Sequence, residues 1–407
     1  MNQSPSIFGG ACIVAGVCVG AGILALPSAG AGAWTFWSIL VIVLTMVVMT
    51  ASGWMLLETF KHFSNIRASF HTVTNELLGP AVGVINNLAV YFVGAILLYA
   101  YTTTAGAILQ GMLGLDSKLA AILYVVVFGA FVWWSTRLVD RISTLLIILM
   151  VGTFGFSVYG LVANIDLALL FDQGESEAAY AKYALVLVPV AVTSFGYHHS
   201  VASMRIYYRD ERRAGWAILG GTGIAVVFYV VWLLGVFGNV PRPGFGPVMA
   251  AGGDVDTLLA AIGGAVSSKY VDTVLTAFSM AAILSSFIGV GLGLFDYMAD
   301  LMGIDDSRLG RFKTSLVTFV PPLLGSLLVP FGFVVAISYA GAVATIWTCI
   351  IPGLLVLKSR RLHPTRAPGG FQCPGGNALA WGVIIFGCLA AVFHLLNMAD
   401  LLPVYML

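Results

Sequence analysis

Eleven times along the chain an apolar stretch runs long enough to cross a bilayer, and no other feature restricts the fold as severely. One crossing takes about 20 predominantly apolar residues. The expected spans are 7–31, 34–57, 81–113, 119–135, 142–163, 183–204, 214–238, 272–298, 312–329, 331–356 and 378–396. In hydrocarbon every backbone N–H and C=O needs an internal partner, so spans of this length read as helices. Composition closes off a soluble alternative. Only 9% of residues are charged and 59% are hydrophobic, whereas soluble chains carry about 25% charged residues and use them to cover their surface. The expected fold class is all-α integral membrane, with membrane lipid as the solvent. The least distinct boundary is the Pro330 turn between the ninth and tenth spans.

The few charges carry the topology. With the N-terminus placed inside, fifteen of the nineteen Lys and Arg fall on inner loops, and only Lys118, Lys182, Arg242 and Lys269 fall outside. This is the positive-inside pattern, and it puts the C-terminus outside. A net charge of +1 argues against a nucleic-acid partner, and no obligate protein partner is evident. The five cysteines have no metal-ligand spacing, so no disulfide framework, metal site or cofactor is expected. Met1 to Ser6 has no basic region, so Ile7 onward reads as a retained helix and not a cleaved signal. Two connections are more than turns. One is an amphipathic helix over 69–78 on the inner face. The other is a Gly- and Pro-rich outer segment over 239–270, with a helical stretch near 256–266.

Two spans are interrupted at membrane depth. The first contains Gly16, Cys18, Gly20, Ala21 and Gly22, then Pro27. The sixth contains Pro189 and then Ser194-Phe195-Gly196-Tyr197-His198-His199. Five spans lie in 7–163 and five in 183–356. An odd number of crossings starts the second set on the opposite side, which is the arithmetic of an inverted repeat, with 378–396 as an additional helix. Unwound backbone persists in a membrane only where it faces protein or a cavity. A half-helix N-terminus there offers N–H groups to a carboxylate, and free carbonyls accept from an ammonium. Such a pair recognises a zwitterion without a charged side chain. The bland alternative for Gly16 and Gly20 is close helix packing.

The stretches Gly20-Ala21-Gly22-Ile23-Leu24-Ala25-Leu26-Pro27, Gly32-Ala33-Trp34, Ser194-Phe195-Gly196-Tyr197-His198, Gly238-Asn239-Val240-Pro241-Arg242-Pro243, Gly293-Leu294-Phe295-Asp296-Tyr297 and Tyr339-Ala340-Gly341 occur in one order along the chain. In that order they resemble the bacterial hydroxy/aromatic amino acid permeases, most of all the tryptophan permease branch. The resemblance implies the amino acid–polyamine–cation superfamily, a LeuT-type 5+5 fold and the bacterial cell inner membrane. It also implies symport of an aromatic L-amino acid with an ion. By the family pattern, backbone at Ala21, Gly22 and Ile23 would hold the substrate carboxylate, and carbonyls near Cys18 and Ser194 its ammonium. Phe195 would be an aromatic lid, and Tyr99 or Tyr101 would line the ring pocket. The chain departs from the pattern at Met150, where members carry a Lys in the fifth span. Ser285 and Ser286 of the eighth span are hydroxyls suited to sodium, so the coupling ion is either proton or sodium.

Ionisable residues at bilayer depth are functional candidates by default. A free imidazole titrates in the physiological range, so His198 is a candidate proton site, and its alternative is a neutral imidazole bonded to unwound backbone. Glu58, Asp140 and Asp296 near inner helix ends read first as ion-pair sites, and Gln110 and His394 as tertiary hydrogen-bonding residues. No His-Glu-x-x-His, nucleophile–base pair or Walker motif points to an enzyme. No polar pore stripe points to a channel.

Overall fold

In the computed structural model, the described residues are 5–20, 22–63, 70–134, 136–171, 177–266, 269–329, 332–363 and 371–405. Ala21 and the Pro330 turn lie outside them, as does the side chain of Asp140. The helices, in chain order, are α1 (Ile7–Cys18), α2 (Gly22–Gly30), α3 (Trp34–Phe60), α4 (Phe70–Leu78), α5 (Pro80–Leu113), α6 (Ser117–Trp134) and α7 (Thr136–Val162). Then come α8 (Leu167–Leu170), α9 (Glu177–Ala181), α10 (Ala184–Ser194), α11 (Val201–Tyr208), α12 (Glu211–Phe237), α13 (Gly246–Ala250) and α14 (Val255–Val266). The last are α15 (Lys269–Met302), α16 (Arg308–Leu328), α17 (Phe333–Thr345), α18 (Ile351–Leu362) and α19 (Gly376–Met398). No strand occurs among the described residues. The amphipathic helix expected over 69–78 is α4, and the helical stretch expected near 256–266 is α14.

Nine of the described helical segments are long and apolar enough to cross a membrane, and ten if the bent pair α1–α2 is one span. The expected ninth span, 312–329, forms α16 but is not among them. Its 21 residues give about 31 Å of helix, enough to cross, but Arg311, Lys313, Pro321 and Pro322 lower its apolar character.

Local chemistry sets the helix ends. The Asp210 carboxylate caps α12 by accepting from the Arg212 and Arg213 N–H groups, and the Ser307 hydroxyl accepts from Gly310 N–H to cap α16. Gly114, at φ 68°, takes the left-handed turn that ends α5. The outward faces are apolar: Leu145, Ile148, Tyr159, Val227 and Leu328 are all exposed, as lipid requires.

The packing pairs have a pattern. The fifth span packs on the eighth (α7 on α15), and the tenth on the third (α17 on α5). The first packs on the seventh (α1 on α12), and the sixth on the second (α10 on α3). The third packs on the fourth (α5 on α6), and the eighth on the ninth (α15 on α16). Exchanging each span of the first five with its counterpart in the second five maps these pairs onto one another. The pairs α2–α10, α3–α12, α5–α15 and α6–α16 map onto themselves.

Candidate functional site at two broken helices

The first break bends α1 against α2 by 58°. Its backbone turns back on itself: Gly20 N–H donates to Cys18 O at 2.9 Å, and Ile23 N–H to Gly20 O at 3.2 Å. Gly22 opens α2, so its N–H is one of the first-turn donors that no helical carbonyl serves. In the sixth span the α-helical ladder stops at Ser194. Phe195 N–H reaches back to Val192 O, Gly196 N–H to Thr193 O, and Tyr197 N–H to Phe195 O, before a 3₁₀ turn at His198–Ser200 leads into α11.

The two breaks touch. A Cβ on Gly22 would stand 3.2 Å from Ser194 Oγ and 3.4 Å from Ser194 Cα, so the absence of a side chain there is what lets the breaks meet. A Cβ on Gly20 would lie 2.6 Å from Ser286 Oγ, and Ser286 hydrogen-bonds the side chain of Tyr101. Four spans therefore converge at one depth: the first (Gly20, Gly22), third (Tyr101), sixth (Ser194) and eighth (Ser286). Phe195 is fully buried, its ring edge-on to Tyr229 with centroids 5.2 Å apart.

The remaining expected residues divide. Of the two tyrosines, Tyr101 joins the convergence. Tyr99 is a correction: it points the other way and donates to Val329 O at 2.9 Å beside Gly325 of α16. Gly16 is a second correction. It is exposed, and nothing lies within 4 Å of where its Cβ would be, so it sits on the outer face of α1 away from the break. Cys18 and Ile23 are buried at the break. Met150 is buried in the core on α7, the helix that packs on α15. Ser285 is half-buried. His198 is buried, stacks on Tyr197 at 4.7 Å and stands edge-on to Trp347 at 6.2 Å. Neither imidazole nitrogen has a hydrogen-bond partner among the described residues, nor does the indole nitrogen of Trp347. Trp347 lies in a π-helical turn, Ile346–Ile350, that interrupts the tenth span, and such turns are frequent at functional sites.

Sequence reasoning missed three supports. Tyr229 of α12 is fully buried, and its hydroxyl lies 2.6 Å from both Cys18 O and Ser194 O. The signal was a lone hydroxyl in the apolar stretch Val226-Val227-Phe228-Tyr229-Val230-Val231, since a buried tyrosine hydroxyl usually finds a partner. Tyr197 donates to Met49 O of α3 at 2.8 Å, across Gly53, where a Cβ would collide with its hydroxyl. Gly341 of α17 lets the tenth span lie directly on Pro189 O and Thr193, and Thr193 Oγ1 donates to Ile337 O at 2.8 Å. Among the described residues, the groups that meet at the junction are neutral hydroxyls and carbonyls.

Residues 3–394 match the model of the tryptophan/tyrosine permease family. The chain is 45% identical over 404 residues to a tryptophan-specific transport protein of Haemophilus influenzae, covering 96% of each. It is 43% identical over 411 residues to a protein of the same description from Pseudomonas aeruginosa, covering 99% of this chain and 98% of the relative. Among solved structures, MhsT in complex with L-phenylalanine superposes with a TM-score of 0.59 at 13% identity, covering 98% of this chain and 100% of that one. That likeness gives the fold, which is that of LeuT-type transporters. By sequence the chain belongs to the tryptophan/tyrosine permease family.

Proposed function

We propose that this multi-pass membrane protein is a secondary transporter that imports an aromatic L-amino acid, tryptophan foremost, together with an ion. The observation that carries the reading is the contact between two helix breaks, Gly22 against Ser194, among hydroxyl and aromatic side chains. First-turn N–H groups at Gly22 and Ile23, with Ala21 between the half-helices, suit a carboxylate. The carbonyls of Cys18 and Ser194 suit an ammonium. Phe195, Gly196 and Tyr101 border the space a ring would fill. The names of the relatives support tryptophan. They are transport proteins, and an enzyme would need chemistry that a dipole-lined junction does not supply.

The proposal includes the repeat. Residues 7–163 and 183–356 form two inverted five-helix units, with 378–396 added, N-terminus inside and C-terminus outside. The symmetry of the packing pairs supports this. So does the location of both breaks in the first span of each unit. Rocking one unit against the other would give alternating access around a fixed site, in a bacterial inner membrane.

Two places suit the coupling ion. Ser286, with Ser285 beside it, faces the first break, where hydroxyl and carbonyl oxygens suit sodium. His198, with both ring nitrogens unpartnered, suits a proton. Met150 fills the place of the family lysine with an apolar side chain. Uptake of labelled tryptophan into proteoliposomes, under sodium and proton gradients imposed separately, tests the function and names the ion. Uptake under neither gradient rejects symport, and displacement by tyrosine at lower concentration than tryptophan rejects the substrate. If His198→Gln retains full, pH-dependent uptake, the proton site is elsewhere.

A further inference from the structure

The hydroxyl of Tyr229 is shared between the two broken helices, and its proton count is short. Its oxygen lies 2.6 Å from Cys18 O, the last residue of α1, and 2.6 Å from Ser194 O, the last residue of α10. A phenol carries one proton. It can donate to one of these carbonyls at a time, and the other then stands at hydrogen-bond distance from an oxygen with no proton between them. Cys18 O has a further donor in Gly20 N–H. Ser194 is the last residue of α10, and the N–H groups of Phe195, Gly196 and Tyr197 that follow it donate to Val192 O, Thr193 O and Phe195 O, not to Ser194 O. The arrangement is rigid. Tyr229 is fully buried, and its ring is braced edge-on by Phe195 at 5.2 Å.

We infer that Tyr229 is the positioning residue for the substrate ammonium. It holds the carbonyls of Cys18 and Ser194 side by side and leaves them one donor short, so that an ammonium with three N–H groups completes the set. The inference rests on the reading of the junction as an amino acid site and adds which side chain fixes its amine end. Tyr229 sits on the seventh span, which contributes no break of its own. Its hydroxyl therefore also ties the two half-helices to a continuous helix, so amine occupancy and the closeness of the breaks depend on the same atom. The Gly22 contact with Ser194 lies at the same junction, and it needs the two helix ends held at this spacing.

The test is competition against labelled L-tryptophan on the purified full-length protein in proteoliposomes. The competitors are L-tryptophan, tryptamine (ammonium without carboxylate) and indole-3-propionate (carboxylate without ammonium). In Tyr229→Phe, the inhibitory concentrations of tryptophan and tryptamine are expected to rise roughly tenfold, as for loss of a hydrogen-bonded group serving a charge, while that of indole-3-propionate stays the same. Equal shifts for all three would mean that Tyr229 is merely structural, and no shift would mean that it is idle; either overturns the inference. If the wild type fails to bind tryptophan, the proposed function itself is wrong, and that arm is read first. If Tyr229→Phe does not assemble, 3-fluorotyrosine at position 229 keeps the packing and strengthens the donor. Tryptophan and tryptamine should then shift while indole-3-propionate does not, and a uniform response again overturns the inference.

Discussion

The junction of the broken helices and one rim of the bundle hold the same spans together by opposite means. At the junction the ties are hydroxyl to carbonyl: Tyr229 to Cys18 and Ser194, Thr193 to Ile337, Tyr197 to Met49. At the rim they are guanidinium clamps. Arg360 of α18 grips Glu58 of α3 with two bonds of 2.8 Å, and the same carboxylate accepts from Cys373 N–H ahead of α19. Arg205 of α11 pairs with Glu211 and donates to Phe63 O. Arg311 of α16 pairs with Asp306 and donates to the carbonyls of Val132 and Trp133 at the end of α6. The difference fits the proposed zwitterion site. A charge fixed at membrane depth is costly, and it would bind one end of such a ligand while repelling the other. Neutral bonds of about 1 kcal/mol each can be exchanged for contacts with a ligand. The rim has water and headgroups nearby and serves to hold helix ends in register, so it can use stronger charged ties.

The rim is most vulnerable at Glu58. Removing one partner of a buried ion pair strands the other, at about 3–5 kcal/mol. Glu58→Ala should therefore lower the thermal unfolding midpoint in detergent more than any single change at the junction. Replacing both Glu58 and Arg360 by Met should recover most of the loss, because no charge is then left alone. Next in size is Gly341→Ala, where a Cβ would run into Pro189 O, a backbone atom that cannot swing away. Overpacking of this kind costs about 1–3 kcal/mol, and it should depress transport as well, because it pushes the tenth span off the second break. Gly22→Ala, whose Cβ would meet Ser194 at 3.2 Å, should cost less in stability. Tyr197→Phe removes a single bond to Met49 O and should cost about 1 kcal/mol, read in the same melting assay.

How far each region could be read from sequence follows the same division. The spans were plain because a crossing needs a fixed length of apolar residues, and the breaks because Gly20, Gly22, Pro189 and Gly196 interrupt that length. The site's supports were not. Tyr229 meets its two carbonyls across 211 and 35 residues, and Arg360 meets Glu58 across 302. No local pattern encodes a partner that is a backbone oxygen. Tyr99 and Tyr101 show the limit most directly. Two positions apart on a helix they point about 200° from each other, so one faces the junction and one faces α16. Which is which depends on the rotation of α5 and is absent from the residues themselves. His394 fits its expected role as a tertiary hydrogen-bonding residue, with Nδ1 2.8 Å from Ser338 Oγ. The expected ninth span falls short of a crossing helix in apolar character because α16 takes in the basic pair Arg311 and Lys313, one of which clamps the rim.

A weaker tie on the rim responds to pH. His62, just past the end of α3, stacks flat on His363, just past the end of α18, with centroids 4.2 Å apart and planes within 6°. Burial pushes the His62 imidazole below its ordinary range, the neighbouring His363 and Lys61 push it the same way, and Glu58 opposes them. A histidine whose folded pKa lies below its unfolded value binds fewer protons folded than unfolded, so stability rises with pH through this region. The contribution is complete above the ordinary histidine value of about 6.5 and is lost as pH falls below it. Wild-type protein should therefore melt lower at acidic than at neutral pH by this route, and His62→Gln should flatten that part of the profile. If His62→Gln leaves the slope unchanged, the stacked pair is not what makes the rim pH-sensitive.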